Sequence, residues 1–249
     1  MKEPGSKLSL VKIMLFSLAC ITIFVAVALI CGLLTSWIPG IALRIAVREV
    51  VLRAPLTIMA LHFFATKVIR NYHPDQIYGK VKFRSLSKWA AFAFILPVAT
   101  GISYYLLALI IPIHHSAPLG TDKKISLLIT WVSLSIAAGL TEEVLFRGHL
   151  FMIFAARYSK VTAVVIASLI FGLVHITMLT AFSVADILTV IAGGSVAGLM
   201  FALIYLYSKV IWYAAVVHVV WDIFFIGKIT AIAATQAEAN QIIFPFRLT

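Results

Sequence analysis

The feature that most limits what this chain can fold into is a succession of long apolar runs cut by short, basic connections. The first, Leu8–Leu34, ends at "TSWIPG" (Thr35–Gly40), where Pro and Gly break the pattern. A helix needs about 20 apolar residues to cross the hydrocarbon core of a bilayer. On that measure further spans fall at Trp89–Ile113, Ile125–Ala156, Val161–Leu179, Val184–Tyr207 and Val210–Ile226. Between Ile41 and Lys67 the pattern is mixed. "IALRIAVREVVLR" sets Arg44, Arg48 and Arg53 among aliphatics, as an interfacial amphipathic helix does, and leads into a less regular span ending near Lys67. The expectation is an all-α, polytopic transmembrane helix bundle of about seven spans, with six or eight also compatible. One integral membrane domain, 1–249, is the simplest count.

Composition agrees. Hydrophobic residues make up 63% of the chain and charged residues 12%, against about half and about a quarter in a soluble domain. The net charge of +11 has no polar domain to sit on, which argues against nucleic acid as partner. It points to orientation in the membrane and to anionic lipid headgroups. Lys67, Arg70, Lys80, Lys82, Arg84 and Lys88 face one acid, Asp75, in the connection 67–88, so that loop is expected in the cytoplasm. With the N-terminus also cytoplasmic, the turns Arg157–Lys160 and Tyr207–Lys209 fall on the same side, and His114–Lys124 on the other. Short loops and compact length suggest a bacterial plasma membrane. The first run is too long for a signal-peptide core and reads as a retained helix. Cys20 and Cys31 lie on that helix, roughly 16 Å apart by its rise, too far for a disulfide, and read as packing or lipid-facing residues.

Against this background three clusters of ionisable residues stand out, all in the second half: "EEVLFR" with Glu142, Glu143 and Arg147; "FGLVH" with Phe171 and His175; and "HVVWD" with His218 and Asp222. Charged groups at membrane depth cost about 2.5–3.5 kcal/mol each on the insertion scale, so they face protein or a wet cavity. Glu143 and Arg147 are four residues apart and can pair, as can His218 and Asp222; Phe171 and His175 project together. Glu142 is turned about 100° from Glu143, so the two need not share a task. Around the turn centred near 158.5, Glu142 and His175 lie equally far along their helices, about 25 Å by the helical rise. Asp222 falls nearest the same layer, with His218 one turn closer to the cytoplasm. Hydrolysing an amide needs a general base for water and donors for the developing oxyanion. Glu and His side chains meeting inside a membrane provide both.

In this order, on successive helices, EExxxR, FxxxH and HxxxN/D resemble the motifs of the CPBP family: CAAX proteases and bacteriocin-processing enzymes, also called Abi proteins, which include the Ras-converting CAAX endopeptidase. The resemblance covers roughly 89–226. It implies an all-helical intramembrane endopeptidase acting on a membrane-associated peptide or protein. In it Glu142 and His175 activate water, His218 with Asp222 stabilises the oxyanion, and Glu143, Arg147 and Phe171 support them. No cofactor or metal is implied. One departure is Asp222, where the eukaryotic enzyme is similar to an Asn version: an ionised carboxylate cannot donate to an oxyanion, so Asp222 would orient His218 or be protonated.

Other readings of the same residues are an open zinc site built from Glu and two His, a proton-coupled transporter, and a peptide-binding or immunity scaffold that does not cut. A zinc protease of the HExxH kind is not encoded, and the confinement of ionisable residues to one half disfavours a transporter built from repeats. His149 reads as lining its helix, and His62, His73, His114 and His115 carry no assigned role. Asp186 reads as a helix N-terminal acid, and "GGSVAG" (Gly193–Gly198) as close packing between helices.

Overall fold

The structure is a computed structural model that describes residues 8–69, 77–108, 121–178 and 183–223. Those residues form seven helices and, among the described residues, no strand. They are α1 Leu10–Leu34; α2, 41–68; α3 Phe83–Ala108; α4, 121–155; α5, 160–178; α6 Val184–Ser208; and α7 Ile211–Trp221. All seven fall where the apolar runs predict them. Four helical stretches are long and apolar enough to cross a membrane: Leu10–Leu34, Ile125–Ala155, Lys160–Thr177 and Val184–Ser208. Helix α2 is not among them, and the described part of α7 is short. The protein is an all-α integral membrane protein.

Two differences from the sequence reading have plain causes. Helix α3 starts six residues before the apolar run at Trp89, because apolarity marks the bilayer and not the end of a helix. The Tyr213 hydroxyl secures this entry, accepting from the Lys82 N–H at 2.7 Å and donating to the Lys82 carbonyl at 3.1 Å. Segment 41–53, read as an amphipathic helix leading into a span, is helical throughout and not a separate element. It runs without a break into Ala54–Val68, and its middle, Val47–Arg53, widens into a π-helical turn around the buried Glu49. His73, His114, His115, the tail Gly227–Thr249 and residues 70–76 of the connection between α2 and α3 lie outside the described residues.

The chain divides into two compact units. The first draws its described residues from Met1–Leu29, Leu56–Lys80 and Thr141–Ile211. In it the rings of Phe16 and Phe64 stack at 5.4 Å, next to the buried Ile13, Cys20 and Leu61. The Arg157 guanidinium donates to the Leu8 carbonyl at 2.7 Å, tying the start of the described chain to the turn after α4. Helices α5 and α6 approach closely through glycine: a side chain at Gly172 would strike the backbone of Ile191 and Ser195, and one at Gly194 would meet the Gly172 Cα at 2.9 Å. Gly198 is packed on Phe171 and Ser168, whereas Gly193 has open space. The small-residue stretch is thus packing, as expected. Ser183 caps α6 by accepting from the Asp186 N–H at 3.0 Å, and Asp186 is an acid of the first turn.

The second unit draws on Ile30–Pro55, Val81–Leu140 and Trp212–Thr249. Gly139 of α4 meets Ala215 and Val219 of α7, where a Cβ would come within 2.5 Å of the Val219 side chain. Trp89 stacks on Tyr213 at 6.4 Å. Cys20 in the first unit and Cys31 in the second are both fully buried and unbridged, so they are packing residues.

Candidate active site

Glu142 and Glu143 end the regular part of α4, and the next seven residues, Val144–Leu150, form a second π-helical turn. Such turns are rare and cluster at functional sites. Every residue from Thr141 to Leu150 is buried, so this segment places four ionisable side chains in a dry interior. One of them, Arg147, is fully accounted for. It donates to Glu143 Oε1 at 2.9 Å and, across to α6, to the Gly198 carbonyl at 2.8 Å. Its guanidinium carbon lies 4.5 Å from the centroid of the Phe171 ring, 5.3 Å from that of Phe201 and 6.0 Å from that of Phe146. A guanidinium is planar and weakly hydrated, so it can stack on aromatic faces while its edge makes hydrogen bonds. Arg147 therefore ties α4, α5 and α6 together, and Glu143 is its counter-ion.

Glu142, beside this pair, is 8% exposed, and its Oε2 has no hydrogen-bond partner among the described residues. A buried carboxylate oxygen without a donor is costly in a fold. Glu143 is held by an arginine; Glu142 presents an acceptor with nothing bound to it.

His175 closes α5. Its backbone N–H turns to the Gly172 carbonyl, three residues back, and its ring Nδ1 takes the Phe171 carbonyl at 2.7 Å. A carbonyl can only accept, so Nδ1 carries the proton and, in the neutral ring, Nε2 keeps its lone pair. The His175 ring also lies 4.5 Å from the Phe171 ring, the same ring that carries Arg147. Phe171 thus links the Glu143–Arg147 pair to His175. The rings of Phe146 and Phe171 meet edge to face at 5.0 Å. Their midpoint in sequence, 158.5, is also that of Glu142 and His175, which lie four residues further out on each helix. No hydrogen bond joins Glu142 to His175.

In the second unit His218 is 3% exposed, and its Nε2 lies 3.5 Å from Asp222 Oδ2, at the outer limit of a hydrogen bond. A third π-helical stretch begins at Asp222. Among the described residues no group of three or more His, Cys, Asp or Glu side chains is gathered to hold a metal ion.

Sequence reasoning missed three participants. His149 is fully buried and donates from Nδ1 to the Val144 carbonyl at 2.9 Å, bracing the π turn from inside. Gly198 supplies the carbonyl that fixes Arg147. Glu49 is 3% exposed between Arg48 and Arg53. For Glu49 there was a signal: Glu49 and Arg53 have the same four-residue spacing as Glu143 and Arg147.

Fold and site together define an integral membrane, all-helical protein that buries Glu142, Glu143, His149 and His218 and half-buries His175 and Asp222. Residues 124–224, which carry all three motifs, match the family model described as type II CAAX prenyl endopeptidase, Rce1-like, and this region is similar to that family. The match supports a peptidase of the CAAX type. No curated protein and no solved structure matches the chain.

Proposed function

We propose that this protein is an intramembrane endopeptidase in which Glu142 and His175 activate water to cut a peptide bond of a membrane-associated protein or peptide. The observation that carries this reading is the pair of open acceptors in the first unit: Glu142 Oε2, buried without a donor, and the Nε2 lone pair of His175, fixed by the Nδ1 bond to Phe171. A water molecule donating to both would be oriented and made nucleophilic.

In the reaction we propose, water loses a proton to Glu142 as its oxygen attacks the scissile carbonyl, with His175 accepting the other water hydrogen bond. The carbonyl oxygen becomes an oxyanion and takes a hydrogen bond from one N–H of protonated His218, whose other N–H Asp222 orients. Collapse of the tetrahedral intermediate breaks the C–N bond, and the proton held by Glu142 passes to the leaving amine. Glu143 and Arg147 take no part in proton transfer; they hold the segment that carries Glu142. The N-terminus and the basic connections lie in the cytoplasm, which agrees with the distribution of Lys and Arg.

The test compares peptides released in cells making the wild-type chain with those released in cells making Glu142→Gln at equal abundance. Peptides present only with the wild type identify substrates. Equal release from both chains would overturn the proposal.

A further inference from the structure

The first half of α2 holds a charge imbalance that the proposed reaction does not use. Glu49 has both carboxylate oxygens taken, Oε1 by Arg48 Nε at 2.8 Å and Oε2 by Arg53 at 2.6 Å. Arg44, Arg48 and Arg53 therefore share one acid within ten residues, a local surplus of two positive charges. Arg44 gives its Nε to the Ile38 carbonyl at 2.9 Å. The terminal nitrogens of Arg44 and Arg48 have no partner among the described residues.

The placement of these two arginines is specific. Ile41, Arg44 and Arg48 recur at intervals of three and four residues, so they share one face, and Val51 follows in the wider π-helical turn. Ile41 is 66% and Val51 61% exposed, and Arg44 and Arg48 lie between them in sequence. The helix begins just after the turn that ends α1, so Arg44 and Arg48 lie about 6 and about 12 Å along it from Gly40. Helical side chains lean toward the N-terminus, and the bond from Arg44 back to Ile38 runs that way. On the same turn Trp37 is exposed, the residue type that settles at headgroup level. Two guanidinium groups are thereby offered to the headgroup layer while the apolar side chains beside them face acyl chains.

We propose that Arg44 and Arg48 bind the phosphate of an anionic phospholipid in the leaflet where α1 ends, with Ile41 and Val51 against its acyl chains. Two planar forks match phosphate oxygens, and the bound anion offsets the surplus charge. The flanking apolar side chains favour a lipid over free phosphate as the source of the oxyanion.

The experiment reconstitutes the full chain in nanodiscs of phosphatidylcholine with a minor fraction of phosphatidylglycerol and identifies the lipid that stays bound by native mass spectrometry. Wild-type protein retains phosphatidylglycerol well above its share of the bilayer, and millimolar inorganic phosphate does not displace it. Arg44→Gln with Arg48→Gln lowers that retention by about tenfold, as expected for two surface guanidinium groups. Arg44→Lys with Arg48→Lys keeps the charge, loses the forks and falls between the two. Retention of both lipids in proportion to the bilayer, or displacement by inorganic phosphate, would overturn the lipid assignment. So would a lysine pair that retains as much as the wild type. If the glutamine pair fails to fold, wild-type selectivity and the lysine pair decide.

Discussion

Arg147 lies over Phe171 with its guanidinium carbon 4.5 Å from the ring centroid, and the opposite demands of charge and aromatic packing are met at one point. The same guanidinium pairs with Glu143 and reaches the Gly198 carbonyl, so three helices depend on it. Removing one partner of a buried pair leaves an uncompensated charge, at a cost of about 3–5 kcal/mol. Arg147→Met is therefore expected to lower the thermal unfolding temperature in detergent sharply. Arg147→Lys should recover little, since it cannot bridge Glu143 and Gly198 while stacking. Near wild-type stability of Arg147→Met would contradict the linking role.

Glycine packing between α5 and α6 gives a matched pair of substitutions. Gly172→Ala would place a Cβ against the backbone of Ile191 and Ser195, and overpacking of this kind costs about 1–3 kcal/mol. Because Gly172 lies between Phe171 and His175, activity should fall along with stability. Gly193→Ala meets nothing within 4 Å. It should be neutral or stabilise by up to about 1 kcal/mol through helix propensity. Unfolding curves of the two variants check this, and equal behaviour would contradict the packing described.

How much of this could be read in advance differs between fold and site. The positions of the helices follow from runs such as Leu8–Leu34 and Val184–Tyr207, because hydrocarbon demands long apolar segments whatever they pack against. The pairing of Glu143 with Arg147 follows from helical spacing. The π-helical turns at Val47–Arg53 and Val144–Leu150 leave no such periodic signal. The burial of Glu49 escaped a reading that saw only the arginines beside it, and His149, which braces the second turn, read as a bystander.

Orientation can be tested with the native cysteines in place, since Cys20 and Cys31 are fully buried. Ser87→Cys introduces an exposed thiol near the start of α3. The basic connection predicts that a membrane-impermeant maleimide labels it from the cytoplasmic side of inverted vesicles and not from outside intact cells. Labelling from outside would reverse the topology.

The metal question has a direct answer in metal content. With Arg147 already balancing Glu143, the proposed site needs no divalent cation for charge compensation. Purified active protein is expected to hold far less than one equivalent of zinc, and chelators should inhibit weakly. Stoichiometric zinc that is lost in His175→Ala, with activity restored by adding metal, would favour the zinc alternative.

The central claim rests on Glu142, and one measurement addresses it: single-turnover cleavage of an identified substrate by purified wild-type and Glu142→Gln proteins of matched thermal stability. An amide keeps the size and the acceptor oxygen but cannot take the proton from water. The account predicts that Glu142→Gln folds normally and loses cleavage by at least ~10²-fold, the lower bound for removing a positioned general base. Cleavage at the wild-type rate by a folded Glu142→Gln protein would contradict it.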